Sequence, residues 1–113
     1  MSDLAFGGKL AAAFAQHGQL CVGIDPHPFL LDEWGLSDSA AGLREFGLRV
    51  VEATAGRAGM LKPQVAFFER HGSAGYSALE HILDRARQAN LLVIADVKRG
   101  DLGTSVEAYG QAW

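Results

Sequence analysis

The chain has 113 residues, 49% hydrophobic and 20% charged, with a formal net charge of −3 at pH 7, the balance of an ordinary globular protein. Its ten Lys and Arg are scattered among thirteen Asp and Glu, with no basic stripe and no interleaved aromatics, so no nucleic-acid partner is expected. No apolar run approaches the roughly 20 residues needed to span a bilayer, and Met1-Ser2-Asp3-Leu4 lacks the basic and apolar regions of a signal peptide; no membrane association is expected, and the cytoplasm is the expected compartment.

An opening helix is expected over residues 3–16, with Phe6, Leu10 and Phe14 on one face and His17-Gly18 as its stop. Residues 19–25 form a short apolar run that ends in Asp25 and meets the breakers Pro26 and Pro28, the pattern of a buried strand followed by a rigid loop. Residues 31–38 read as a loop, and Ser37 or Asp38 can cap a helix running to about Gly56, with Leu43, Phe46, Val50 and Thr54 at helical spacing. Residues 60–69 read as a second strand carrying Lys62, although Pro63 argues for an interrupted ladder. The polar stretch Lys62-Pro63-Gln64 inside an apolar run is costly unless it is used. Ser73 is expected to cap the next helix, whose face is Tyr76, Leu79, Ile82, Leu83 and Ala86 and whose end is Asn90. Residues 91–98 read as the third strand, and from Thr104 another helix is expected to begin, at which point the sequence stops without a cap or polar tail.

This order is a parallel-sheet pattern, either doubly wound or a barrel. Three strands cannot close a barrel, and a (β/α)8 domain typically needs about 250 residues. The barrel reading therefore makes residues 1–113 the N-terminal part of a single domain, about three βα units after an N-terminal helix, with the C-terminal half not included and Val22, Val65 and Val93 turned to the barrel interior. Cys21, the one cysteine, is expected as a small buried hydrophobe and excludes an intrachain disulfide. His17, His27, His71 and His81 lack metal-ligand spacing, so no metal is expected. Hard-cation binding by Asp25, Glu69, Asp96 or Asp101 would compete with Lys62 and Lys98 as counter-charges.

The chemistry is concentrated near the C-terminus, where Asp96, Lys98 and Asp101 follow directly after the apolar run Leu91-Leu92-Val93-Ile94. A buried strand that ends in charge is how an α/β protein presents catalytic groups. On a strand, residues i and i+2 share a face roughly 6.6 Å apart, so Asp96 and Lys98 are expected to project together, with Asp101 in the turn beyond. A lysine between two carboxylates is expected to stay protonated, which makes it a proton donor and not a Schiff-base nucleophile. The competing reading is a surface ion pair at a strand end. Against it, Asp25, Lys62, Asp96 and Lys98 all lie on strands or strand ends, positions that converge at the C-terminal rim of a parallel barrel.

The segments L-C-V-G-I-D-P-H-P at 20–28, L-K-P-Q-V-A-F-F-E at 61–69 and A-D-V-K-R-G-D-L-G at 95–103 resemble those of the orotidine 5'-phosphate decarboxylase family in its longer bacterial branch. The resemblance runs from about residue 4 to residue 113. D-x-K-x-x-D is shared with related sugar-phosphate decarboxylases and aldolases; Lys62-Pro63-Gln64 separates them, because the metal-using relatives usually carry a carboxylate in that strand.

The resemblance implies a (β/α)8 TIM barrel that decarboxylates orotidine 5'-monophosphate to UMP, the last step of de novo pyrimidine synthesis, with no cofactor. By position it makes Asp25 and Lys62 ligands of ribose hydroxyls, with Lys62 also in the charge network. It places Asp96 beside the departing carboxylate and makes Lys98 the proton donor to C6. Asp101 and Ser105 would reach the ribose in the neighbouring subunit of a homodimer; a threonine is usual where Ser105 stands. The family's phosphate-gripping arginine and loop have no counterpart in these residues, so the 113-residue chain alone is expected to be inactive. Two other readings stand beside this one. They are a magnesium-dependent sugar-phosphate lyase of the same suprafamily, disfavoured by Lys62, and a non-catalytic half-barrel that binds a phosphosugar or a partner subunit.

Overall fold

The computed structural model describes residues 5–113; Asp3 and Leu4, where the first helix was expected to begin, lie outside them. The elements run α1 (Phe6–His17), β1 (Cys21–Ile24), α2 (Pro28–Glu33), α3 (Ala40–Thr54), β2 (Met60–Pro63), α4 (Ala66–Glu69), α5 (Gly72–Gln88), β3 (Leu92–Val93) and α6 (Gly103–Ala112). The strands form one parallel sheet in the order β1-β2-β3, with Gly23 opposite Lys62, Ile24 opposite Pro63 and Leu61 opposite Val93. The order advances without a reversal, and helices return the chain between strands. This is the architecture of the first part of a (β/α)8 barrel.

One face of the sheet packs under α3 and α5, where Ile24, Leu61 and Val65 meet Leu43, Phe46, Val51, Leu79 and Ile82 in a single buried cluster. Burying each such side chain contributes about 1.5–3 kcal/mol. Gly47 sets how closely the two helices approach, since a Cβ there would fall 2.2 Å from Ile82 Cδ1. The three valines do not face the barrel interior as the sequence led one to expect. Val65 is fully buried in the helix-side core, and Val22 and Val93 pack partly against it, so these residues do not line an open barrel interior. Side chains alternate along a strand, which puts Cys21, Gly23 and Lys62 on the other face. Cys21 is accordingly exposed and not a buried hydrophobe.

Several boundaries also move. The loop after Asp25 contains a six-residue helix, α2, with Pro28 in its first turn, a position where a missing N–H costs nothing. β2 ends at Pro63, and the last four residues of the expected strand, Ala66–Glu69, form α4. α3 is capped by Ser39, whose Oγ accepts the Gly42 N–H at 3.2 Å, while Asp38 pairs instead with Arg70 and His71. α5 begins at Gly72 without a side-chain cap, so Ser73 lies inside its first turn. Asn90 closes the segment after α5 in the left-handed region, at φ 59°. α1 buries no residue completely; Leu10 and Phe14 are half-buried and Phe6 is exposed.

Candidate active site

Beyond the regular strands, single links continue the sheet. Gln64 N–H donates to Ile24 O at 3.1 Å, Asp96 N–H to Pro63 O at 3.0 Å, and Val65 N–H to Asp96 O at 3.1 Å. Pro63 has no N–H to give, but its carbonyl still accepts, so the proline interrupts the ladder without parting the strands. The links collect Asp25, Lys62, Gln64 and Asp96 at the carboxyl end of the sheet. Gly23 lies opposite Lys62, and a Cβ on it would stand 2.9 Å from Asp25 Oδ1. The Asp25 carboxylate uses the room that glycine leaves.

Asp96 is the centre of the cluster. Its Oδ1 accepts from Lys98 Nζ at 2.5 Å, and its Oδ2 accepts from Gln64 Nε2 at 3.1 Å and faces Lys62 Nζ at 3.6 Å. The Lys98 hydrogen bond is the largest influence on the Asp96 carboxyl; partial burial opposes it, the Lys98 and Lys62 charges add to it, and the result lies below the ordinary value. Ionised Asp96 therefore holds two ammonium groups at one point. Gln64 spends its amide N–H on Asp96 and leaves its buried Oε1 without a partner among the described residues.

This arrangement corrects two sequence expectations. A carboxylate sits between two lysines, and not a lysine between two carboxylates: Asp101 makes no ion pair among the described residues, and its Oδ1 accepts the Leu102 N–H at 2.8 Å. Nor do Asp96 and Lys98 share a regular strand. β3 ends at Val93, and Lys98 has φ 52°, a left-handed conformation that costs a non-glycine residue of order 1 kcal/mol. That turn folds the lysine back onto the carboxylate.

The remaining sequence candidates stand around this centre. Asp25 is half-buried at the end of β1, and its carboxylate has no hydrogen bond or ion pair among the described residues, while its carbonyl accepts both the N–H (2.8 Å) and Nδ1 (2.9 Å) of His27. Ser105 is exposed in the first turn of α6, outside the ion cluster. Among the described residues no three His, Cys, Asp or Glu side chains group as metal ligands.

Sequence reasoning assigned no role to a second network beside Lys98. Arg99 Nη1 donates to Val97 O at 2.8 Å, and its Nη2 donates to Glu69 Oε2 at 2.5 Å. Tyr76 O–H donates to the same Glu69 oxygen at 3.0 Å. The Glu69 charge pushes the Arg99 pKa further up, and burial, then the Glu69 hydrogen bond, raises that of Tyr76. The signal that could have found this network is an arginine directly after the lysine of a D-x-K motif, with a carboxylate closing the preceding apolar run.

A sequence model of the family described as "Orotidine 5'-phosphate decarboxylase / HUMPS family" matches residues 18–113. The orotidine 5'-phosphate decarboxylase of Nocardioides sp. is 53% identical over 110 residues, covering 97% of this chain and 40% of that protein. That of Streptomyces coelicolor is 53% identical over 108 residues, covering 96% of this chain and 39% of the relative. The fold superposes on a crystal structure of a Streptomyces avermitilis protein with a TM-score of 0.94 and 50% identity, over 100% of this chain and 40% of the other. The Leishmania donovani OMP decarboxylase structure matches with a TM-score of 0.75 and 29% identity, over 96% of this chain and 39% of the other. The chain thus spans about 40% of the length of the curated relatives it matches.

Proposed function

The chain belongs to the orotidine 5'-phosphate decarboxylase / HUMPS family, and on that premise we propose that residues 1–113 are the N-terminal part of one barrel domain that converts orotidine 5'-monophosphate to UMP. The observation that carries this reading is the part-buried Asp96 carboxylate held between Lys98 and Lys62.

Decarboxylation breaks the bond between C6 and the carboxylate carbon and leaves the electron pair in the plane of the pyrimidine, where the ring π-electrons cannot delocalise it. Stabilisation has to come from fixed charge and a ready proton. Lys98 supplies both: its ammonium is oriented by Asp96 and transfers a proton to C6, and the amine then regains a proton from solvent. Electrons and protons balance without a cofactor. Asp96 places a negative charge beside the substrate carboxylate, a repulsion that departing CO2 relieves, and Lys62 offsets the excess negative charge. Asp25, whose carboxylate has acceptors to spare, binds ribose hydroxyls together with Lys62. Asp101 and Ser105 are exposed outside the cluster, which suits contact with the ribose in the neighbouring subunit of a homodimer. Among the described residues no helix is long and apolar enough to cross a membrane.

The reading is tested by supplying orotidine 5'-monophosphate to a protein of the relatives' length that contains this chain and following loss of the orotate absorbance. Turnover to UMP that survives EDTA is expected. Cleavage of a sugar phosphate that depends on magnesium, with no UMP formed, would establish the lyase alternative instead.

A further inference from the structure

We propose that Arg99 is the positioning residue for Lys98, acting as a strap anchored on Glu69 and Tyr76. The proposal rests on the reading of Lys98 as the proton donor. The difficulty it resolves is geometric. Lys98 has a side chain 66% exposed and Asp96 as its one ion-pair partner among the described residues, and such a pair on a flexible four-carbon stem does little to fix where an ammonium points. The backbone beneath it is also in an unfavourable conformation, at φ 52°, which persists only where the surroundings enforce it.

Arg99 enforces it from both sides. Its Nη1 holds the carbonyl of Val97, the residue before Lys98, at 2.8 Å, while its own position, directly after Lys98, is tied by Nη2 to Glu69 at 2.5 Å. The peptide units flanking Lys98 are thereby closed into one small loop. The anchor is itself fixed, since Tyr76 on α5 donates to the same Glu69 oxygen at 3.0 Å. Arg99 is more enclosed than the group it serves, with a side chain 25% exposed, so its charge-assisted bonds are less screened than the Lys98 pair. The planar guanidinium holds Val97 O and Glu69 Oε2 with two separate nitrogens in a fixed fork, whereas a lysine would have to meet both acceptors from a single nitrogen at the end of a flexible stem.

The test uses the protein of the relatives' length and compares Arg99→Met, Arg99→Lys, Glu69→Gln and Lys98→Ala in turnover of orotidine 5'-monophosphate. A misplacement of about 1 Å costs roughly a hundredfold in rate. Arg99→Met is therefore expected to lower kcat about a hundredfold with KM nearly unchanged, and Arg99→Lys to restore little of it. Glu69→Gln, which preserves shape, should lower kcat in the same manner and keeps the test valid if Arg99→Met fails to fold. A kcat within twofold of the parent for Arg99→Lys or for folded Arg99→Met, alongside an inactive Lys98→Ala, would overturn the strap and leave the decarboxylase reading intact. Normal turnover in Lys98→Ala would overturn the proton-donor reading, and the strap with it.

Discussion

Lys98 Nζ lies 2.5 Å from Asp96 Oδ1, reached by a backbone turned back through φ 52° and not by a shared strand face. The pair therefore depends on a loop conformation, and its charge balance depends on Lys62, which approaches the second carboxylate oxygen from β2.

This pairing sets a pH dependence. The Lys98 hydrogen bond, with help from the Lys62 charge, holds the Asp96 carboxyl below its ordinary value of 3.8 in the fold. The unfolded chain then binds a proton at Asp96 more readily than the folded chain does. The stability contributed is fully present above the unfolded value and is lost as pH falls through the lowered folded value. A carbon-13 titration of the Asp96 carboxyl should give a midpoint below 3.8; a midpoint above it would contradict the arrangement.

Gly23→Ala should act on substrate binding. The added Cβ would stand 2.9 Å from Asp25 Oδ1, so the carboxylate must turn away from the end of β1. In the protein of the relatives' length, KM for orotidine 5'-monophosphate should rise about tenfold, a loss of about 1.4 kcal/mol, with kcat less affected. An unchanged KM would remove Asp25 from the ribose site.

Two glycine substitutions should differ sharply in stability. A Cβ on Gly75 would fall 1.9 Å from the Phe68 carbonyl oxygen, whereas one on Gly110 meets nothing within 4 Å. Gly75→Ala should destabilise by about 1–3 kcal/mol or more because backbone must move, and Gly110→Ala in α6 should be neutral or stabilising by up to about 1 kcal/mol. Denaturant midpoints decide it; equal midpoints would mean that α4 and α5 do not meet as described.

The parts of the fold legible in the sequence were those with long, clean periodicity. Leu43, Phe46 and Thr54 on α3, and Leu79, Ile82 and Ala86 on α5, are buried as their spacing requires. The short helices were not legible. Pro26 and Pro28 punctuate a loop and open a helix equally well, and Val65-Ala66-Phe67-Phe68 is an apolar run too short for its period to separate strand from helix. Of the charged residues the sequence singled out, the structure groups Lys62, Asp96 and Lys98, and the direction of their pairing was not legible. Strand alternation applied to residues 96 and 98 assumes a regular strand, and β3 stops at Val93. Asp101 looked like a second partner for Lys98 by spacing alone, yet its carboxylate turns to the next backbone N–H.

The proposed contact of Asp101 with the neighbouring subunit's ribose predicts complementation. Mixing Asp101→Ala protein with Lys98→Ala protein, each of the relatives' length, should restore part of the activity, because some heterodimers then carry one intact composite site. Subunit exchange without recovery would place Asp101 in its own chain's site.

The most direct measurement of the central claim is turnover of orotidine 5'-monophosphate by Lys98→Ala in the protein of the relatives' length, with folding checked by thermal unfolding. Loss of the general acid should lower kcat by about 10²–10⁴-fold while the unfolding midpoint stays within a few degrees of the parent. A folded Lys98→Ala protein whose turnover remains within about tenfold of the parent would contradict the assignment of Lys98 as the proton donor.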